Sequence, residues 1–296
     1  MSADGGMSAD GGVNADGGTR ADGGGSADGG MSADGGGGAL AGRVVVISGV
    51  GPGLGRAIAV RCARAGADVV LAARTKAFLD EVAEEVTAGG GRALAVPTDV
   101  TDDEQSAELV RAALESFGRV DALVNNAFAM PPMRDLSKVD LDALRASLDV
   151  NVLGALRLTR LFTPALAQHG RGSVVMINSA VLRHSRRTFG AYKMAKSALH
   201  AVASSLATEL GRQGIRVNSV APSYIWADSL KAYFAYQAGK RGVDPQQVYD
   251  EAAAGTDLGR LATPEEVADA VVFLASDAAR AITGQTLDVN CGEFHT

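Results

Sequence analysis

The chain has 296 residues and a formal net charge of −6, and its first 38 residues carry six aspartates and one arginine, hence five of the six net negative charges. The remaining stretch is close to neutral, which gives no basis for binding nucleic acid or a membrane surface through charge, and its length of about 258 residues suits one large α/β domain. No apolar run reaches membrane-spanning length, two cysteines without a secretory signal predict thiols rather than a disulfide, and four scattered histidines predict no metal site.

Residues 2 to 37 repeat a hexapeptide of the form Ser-Ala-Asp-Gly-Gly-Met six times, with Asp4, Asp10, Asp16, Asp22, Asp28 and Asp34 in register. A calcium-binding roll needs a large apolar residue in each turn, and these repeats lack one. A disordered, Gly/Asp-rich tail over 1–38 is expected, followed by a single domain over 39–296. The acidity of the tail argues against a mitochondrial address, so a cytoplasmic location is expected. Arg43 to Ser48 reads as a buried strand running into Gly49-Val50-Gly51-Pro52-Gly53-Leu54-Gly55 and an amphipathic helix from Arg56 to Ala65. Strand, glycine turn and helix come in the order a dinucleotide site requires, because glycines let the backbone approach a diphosphate and the helix end offers free N–H groups.

The glycine spacing, Gly49-x-x-x-Gly53-x-Gly55, resembles that of the short-chain dehydrogenase/reductase family, in particular its 3-oxoacyl-carrier-protein-reductase-like members. The resemblance implies a Rossmann fold, an α/β doubly wound parallel sheet, with Gly49, Gly51, Gly53, Leu54 and Gly55 against a nicotinamide cofactor. A second strand, Asp68 to Ala73, ends without the acid that would bind the ribose of NAD, and Arg74 follows, whose guanidinium can hold a 2′-phosphate. NADP is therefore expected over NAD, against the plainer reading of Arg74 as a surface arginine. A third strand, Arg92 to Val96, leads into Thr98-Asp99-Val100; the resemblance implies Asp99 at the adenine and Val100 beside it, while Asp99 with Asp102 and Asp103 also reads as a helix start. The fourth strand ends Asn125-Asn126-Ala127-Phe128, where the family has Asn-Asn-Ala-Gly, and the resemblance implies that Asn125 and Ala127 meet the cofactor. Phe128 in the glycine's place either walls the substrate site or turns into the core.

Leu141 to Gln168 has helical periodicity through Leu144, Leu148, Val152, Ala155, Leu156 and Leu161, with Asn151 inside the apolar stretch. A fifth strand, Gly172 to Asn178, delivers Ser179 at its carboxyl end, where open α/β sheets place ligands. Tyr192 and Lys196 follow, four apart and hence on one helix face. An ammonium beside a phenol favours the phenolate, so Tyr192 is expected to titrate below its usual value of about 10. Under the resemblance these residues form the family's tetrad. Tyr192 is the general acid, Ser179 bonds the carbonyl oxygen, Lys196 holds the ribose and lowers the Tyr192 pKa, and Asn151 bends its helix and supports proton resupply through a water. A serine-nucleophile reading of Ser179 lacks both the glycine-flanked elbow and a placed histidine base, and His184 reads as a solvated loop residue.

A sixth strand, Ile215 to Val220, precedes Ala221-Pro222-Ser223-Tyr224-Ile225, with Ser223 where the family has glycine and Ala227 where it commonly has a threonine that touches the carboxamide. Pro222 and Ile225 are expected on the cofactor. A small helical substrate lid is expected over about 223–256, with one long helix from Asp228 to Ala254. Its Trp226, Tyr233, Phe234, Tyr236 and Tyr249 either line the substrate or pack as a core or partner-facing helix. Thr263-Pro264-Glu265-Glu266 marks a helix start, and a last strand, Gln285 to Asn290, ends in Asn290-Cys291-Gly292, where relatives have Asp-Gly-Gly. The expected activity is NADP-dependent reduction of a small-molecule ketone by a homotetramer or homodimer. The alternatives are NAD-linked alcohol oxidation and a catalytically silent NADP-binding regulator.

Overall fold

A computed structural model describes residues 38–295; the acidic tail expected over 1–38 lies, Gly38 apart, outside the described residues. Seven strands, Val44–Ser48 (β1), Asp68–Ala73 (β2), Ala93–Pro97 (β3), Ala122–Asn125 (β4), Gly172–Ile177 (β5), Ile215–Pro222 (β6) and Thr286–Val289 (β7), form one parallel sheet in the order β3-β2-β1-β4-β5-β6-β7. Near-continuous runs of valine, leucine and isoleucine suit strands covered on both faces. Side chains alternate accordingly. Val45 and Ile47 of β1 pack under Leu54–Arg64 (α1), Lys76–Ala88 (α2) and Pro264–Ala275 (α9), whereas Val44 and Val46 pack under Asp103–Phe117 (α3), Ala155–Ala167 (α5) and Gly190–Leu210 (α6).

Strand order reverses between β1 and β4, and a crevice opens at the carboxyl ends of strands at such a point. The register sets Ser48 beside Asn125 and Asn125 beside Met176, so the turns leaving β1, β4 and β5 emerge side by side. That adjacency brings the glycine turn, Phe128 and Ser179 to one end of the sheet. Among the described residues no helix is long and apolar enough to cross a membrane. Cys62 is buried, Cys291 is half-buried, and both are free thiols.

Two expected helices are each broken. The stretch 141–168 is Leu141–Leu148 (α4) and α5 joined by a wide π-helical turn, Asp149–Gly154, which carries the buried Asn151. A Cβ on Gly154 would lie 2.7 Å from a Val100 methyl, so this turn can approach the loop after β3 only with glycine there. The stretch 228–254 is Asp228–Arg241 (α7) and Pro245–Ala253 (α8). Gly242 ends α7 at φ 66, and Asp244 caps α8 by accepting from the Gln246 N–H, with Pro245 in the first turn. Gly-x-Asp-Pro is a stop followed by a start. The start at Thr263 is a full capping box, with Thr263 and Glu266 each bonding the other's backbone N–H.

Among the described residues, Thr188 and Cys291 are the non-glycine positions with positive φ, at 69 and 53. Thr188 lies two residues before α6, and a β-branched side chain in this region costs about 1–3 kcal/mol. Thr188→Asn, with a side chain that tolerates the conformation, is expected to raise the thermal unfolding midpoint by about 2 °C. A lower midpoint would show that the threonine side chain contributes more than its backbone costs.

Candidate active site

The carboxyl ends of β1, β2, β3 and β4 and the start of α1 enclose a cavity of about 590 Å³. Gly49, Gly51, Leu54 and Gly55 form one wall. Gly49 has φ 75, and a Cβ there would fall 2.4 Å from the Ala127 Cα, so the turn closes on β4 only without a side chain. Nothing lies within 4 Å of a Cβ built on Gly51, which faces open space. Gly53 precedes α1 with φ 108, and the helix has neither a side-chain cap nor an acid in its first turn. An uncapped positive helix end beside bare backbone fits the diphosphate of a nicotinamide nucleotide.

Arg74, Asp99, Val100 and Ala127 line the same cavity. Asp99 accepts from the Thr101 backbone N–H at 2.9 Å and from the Thr101 hydroxyl at 2.7 Å. These bonds, with a smaller contribution from the Arg74 charge, hold its carboxyl below the usual range. Asp102, not Asp99, caps α3. The Asn125 side chain is buried in the sheet and donates to the Thr159 hydroxyl and the Met176 sulfur at 3.1 and 3.3 Å, because strand alternation turns it away from the crevice. Its neighbour Asn126 takes the cavity position and donates to the Gly49 carbonyl at 2.7 Å. Pro222 and Ile225 also lie off this cavity, Pro222 buried at the end of β6 and Ile225 paired with Ala262.

The tetrad side chains do not line this cavity; Tyr192 and Lys196 adjoin it through Phe128, and Asn151 adjoins it through Ala129. Ser179 leaves β5 with its Oγ accepting from the Val181 N–H at 3.2 Å, and Tyr192, in the first turn of α6, is near enough for the Ser179 hydroxyl to act on its pKa. Lys196, one turn further on and buried, donates to the Ile177 carbonyl at 2.8 Å. The expected lowering of the Tyr192 pKa is not found. Burial pushes the phenol above its ordinary value, and the Ser179 hydroxyl offsets this only in part. The physical reason is that Lys196 is itself desolvated, pulled down to about 8, and directed to a carbonyl. Asn151 clamps the backbone of Ala129: its Oδ1 accepts from the Ala129 N–H at 3.0 Å and its Nδ2 donates to the Ala129 carbonyl at 2.7 Å. Its remaining donor goes to Ser147 at 2.9 Å. In this structure Asn151 therefore steadies the loop that carries Phe128.

Burial of Lys196 has a pH signature. The free side chain titrates at 10.5 and the folded one at about 8, so between these values the unfolded chain binds more protons and stability rises with pH. Below pH 8 the whole penalty, about 3 kcal/mol, is present. Lys196→Met is expected to be more stable than the parent at pH 7, with the gain shrinking between pH 8 and 10.5. Thermal unfolding at pH 7 and pH 10 checks this, and no gain at pH 7 would contradict it.

Phe128 lines the cavity and is 43% exposed, so it faces the site and not the core. Its only sequence signal is the departure from glycine. His184 is a correction: it is half-buried and stacked on Phe294 with ring centroids 5.0 Å apart, and burial pushes its pKa down. The C-terminal segment that supplies Phe294 also supplies Glu293, which pairs with Arg186 at 2.9 Å and accepts from Ser223. It thereby ties the loop before Tyr192 to the start of the lid, a contact that no sequence pattern announces. Trp226, Phe234 and Tyr249 pack on one another, with centroids 5.7 and 4.6 Å from Trp226, so these lid aromatics form a small core of their own. Tyr233 and Tyr236 are exposed. Among the described residues no cluster of histidine, cysteine, aspartate or glutamate has the makings of a metal site.

A family model described as enoyl-(acyl carrier protein) reductase matches residues 49–293. A short chain dehydrogenase/reductase of Aspergillus oryzae is 36% identical over 256 residues, covering 86% of this chain and 95% of that protein. The 7alpha-hydroxysteroid dehydrogenase of Escherichia coli is 31% identical over 254 residues, covering 86% and 94%. Among solved structures, carveol dehydrogenase from Mycobacterium avium in complex with NAD superposes with a TM-score of 0.81 at 28% identity, covering 86% of this chain and 99% of that one.

Proposed function

Because the chain belongs to the short-chain dehydrogenase/reductase family, an oxidoreductase family, we propose that it reduces a ketone to a secondary alcohol with NADPH. The observation that carries this reading is the Tyr192 phenol, kept protonated by burial and set against Phe128 at the edge of a nucleotide-sized cleft. A nicotinamide bound in that cleft would supply the hydride. Ser179 holds the carbonyl oxygen, and Tyr192 delivers a proton to it as negative charge develops. Lys196, in the next turn of α6, supplies a nearby positive charge and a hydrogen-bond donor toward the ribose. Asn151 keeps the Ala129 backbone, and with it one side of the pocket, in place.

NADP preference is supported by Arg74 in the cleft wall and by the absence of an acid at Ala73. A neighbour solved with NAD supports the second reading, NAD-linked oxidation of an alcohol. A homotetramer or homodimer is supported by Leu153, Leu161 and Met194, exposed along the helices that carry the tetrad, and a cytoplasmic site of action completes the proposal. The test is a panel of 3-oxoacyl thioesters, polyketide ketones, steroids and small cyclic ketones assayed by NADPH consumption. Turnover of at least one, lowered by about 10³-fold in Tyr192→Phe, is expected; consumption of none would count against the reductase.

A further inference from the structure

The Lys196 ammonium makes two close contacts besides its own helix. One is the Ile177 carbonyl at 2.8 Å, and the other is the face of Phe128, whose ring centroid lies 5.0 Å from Nζ. The same ring meets Tyr192 edge-on, with centroids 5.7 Å apart and planes at 68°. Among the described residues no carboxylate contributes to the titration of Lys196. Among the described residues the sheet gives it a carbonyl from β5, Asn151 on the π-helical turn is neutral and occupied with Ala129 and Ser147, and the ionisable residues within one turn on α6 are the Tyr192 phenol, Lys193, whose ammonium goes to the His184 carbonyl and the Ser185 hydroxyl, and His200, bonded to Thr286. A buried ammonium without a counter-ion needs another source of negative potential, and an aromatic face supplies it.

We infer that Phe128 is a positioning residue whose ring replaces a counter-ion for the Lys196 ammonium and holds it against the Ile177 carbonyl beneath Tyr192. A glycine, which the family motif has at this position, leaves that face of the lysine bare. The loop from Asn126 to Ala129 sets the ring. Asn126 is tied to Gly49 at one end and Ala129 is clamped by Asn151 at the other, so Phe128 sits between two fixed points. Its half-exposed position makes substitution compatible with folding.

The inference rests on the reading of Lys196 as the ammonium of the site, yet its test needs neither ketone nor cofactor. The chain has six lysines, so ¹³Cε labelling of lysine in the full chain gives few signals, and Lys196→Met assigns the one of interest. In Phe128→Leu, which keeps apolar bulk and loses the π face, the Lys196 midpoint is expected to fall by about one pH unit. In Phe128→Tyr, which keeps the face, it is expected to stay within about 0.3 of the parent. A ring that merely excludes water predicts the opposite sign, since its loss hydrates the ammonium and raises the midpoint toward 10.5. An unchanged or raised midpoint in Phe128→Leu overturns the inference, as does a fall of equal size in Phe128→Tyr. Failure of every ketone in the panel would leave these titrations standing, so the two readings fail separately.

Discussion

Tyr192→Phe is expected to lower kcat for ketone reduction by about 10³-fold while changing nucleotide affinity by less than about twofold. The substitution removes one oxygen and leaves the ring, so its contacts with Phe128 and Phe189 persist. What disappears is the proton positioned beside Ser179. Because burial holds the phenol above its ordinary pKa, the donor is fully protonated at neutral pH. In the parent, kcat/KM for reduction should fall only on the alkaline side, first as the Lys196 ammonium is lost at about 8 and then as the phenol ionises above pH 10, and the residual rate of Tyr192→Phe should keep the first limb and lack the second. Stopped-flow turnover with NADPH from pH 6 to above pH 10, where a raised phenol ionises, reads both quantities. A loss below tenfold would mean that another group protonates the carbonyl oxygen, and a parallel loss of nucleotide binding would mean that the hydroxyl supports the cleft instead.

The parts of this site legible in the sequence are those whose chemistry is local to a turn or a helix. Gly49 and Gly55 announce a close backbone approach, and within the protein that approach is to Ala127 and to the Gly49 carbonyl, where a Cβ would collide. Tyr192 and Lys196 share a helix face because four residues make about one turn. The less legible parts depend on long-range packing. The two residues Asn125 and Asn126 look alike in sequence, and strand alternation alone decides that Asn126 reaches the cavity while Asn125 is spent on Thr159 and Met176. His184 reads as solvated until Phe294, 110 positions further on, stacks against it. The titration of Tyr192 was set by competition between desolvation and a neighbouring charge, and spacing along a helix carries only the second of these. The break at Gly242-Val243-Asp244-Pro245 was within reach of sequence reasoning, since cap and breaker signals are local; the aromatic periodicity on either side of it obscured them.

The coenzyme corner permits an equally sharp experiment. In the double variant Ala73→Asp, Arg74→Gln, the ratio of kcat/KM with NADPH to that with NADH is expected to fall by about 10²–10³-fold. Two effects act in the same direction. Removing the guanidinium takes away a charge-assisted, forked partner for a 2′-phosphate, worth about 1.5–3 kcal/mol. Placing a carboxylate at the end of β2 adds repulsion toward that phosphate and an acceptor for a ribose hydroxyl. Asp99 lies close enough to feel the Arg74 charge, so losing the arginine also leaves this carboxylate without its cationic neighbour and makes the corner still less hospitable to a phosphate. The single change Arg74→Gln separates the contributions: it should weaken NADPH while leaving NADH nearly unaltered, because NADH has no phosphate for the guanidinium to grip. High salt should narrow the parent's preference more than that of Arg74→Gln, since screening acts on the ion pair. A ratio unchanged in the double variant would place the 2′-position away from Arg74, and the cleft would then select its nucleotide by the Asp99 side of the pocket alone.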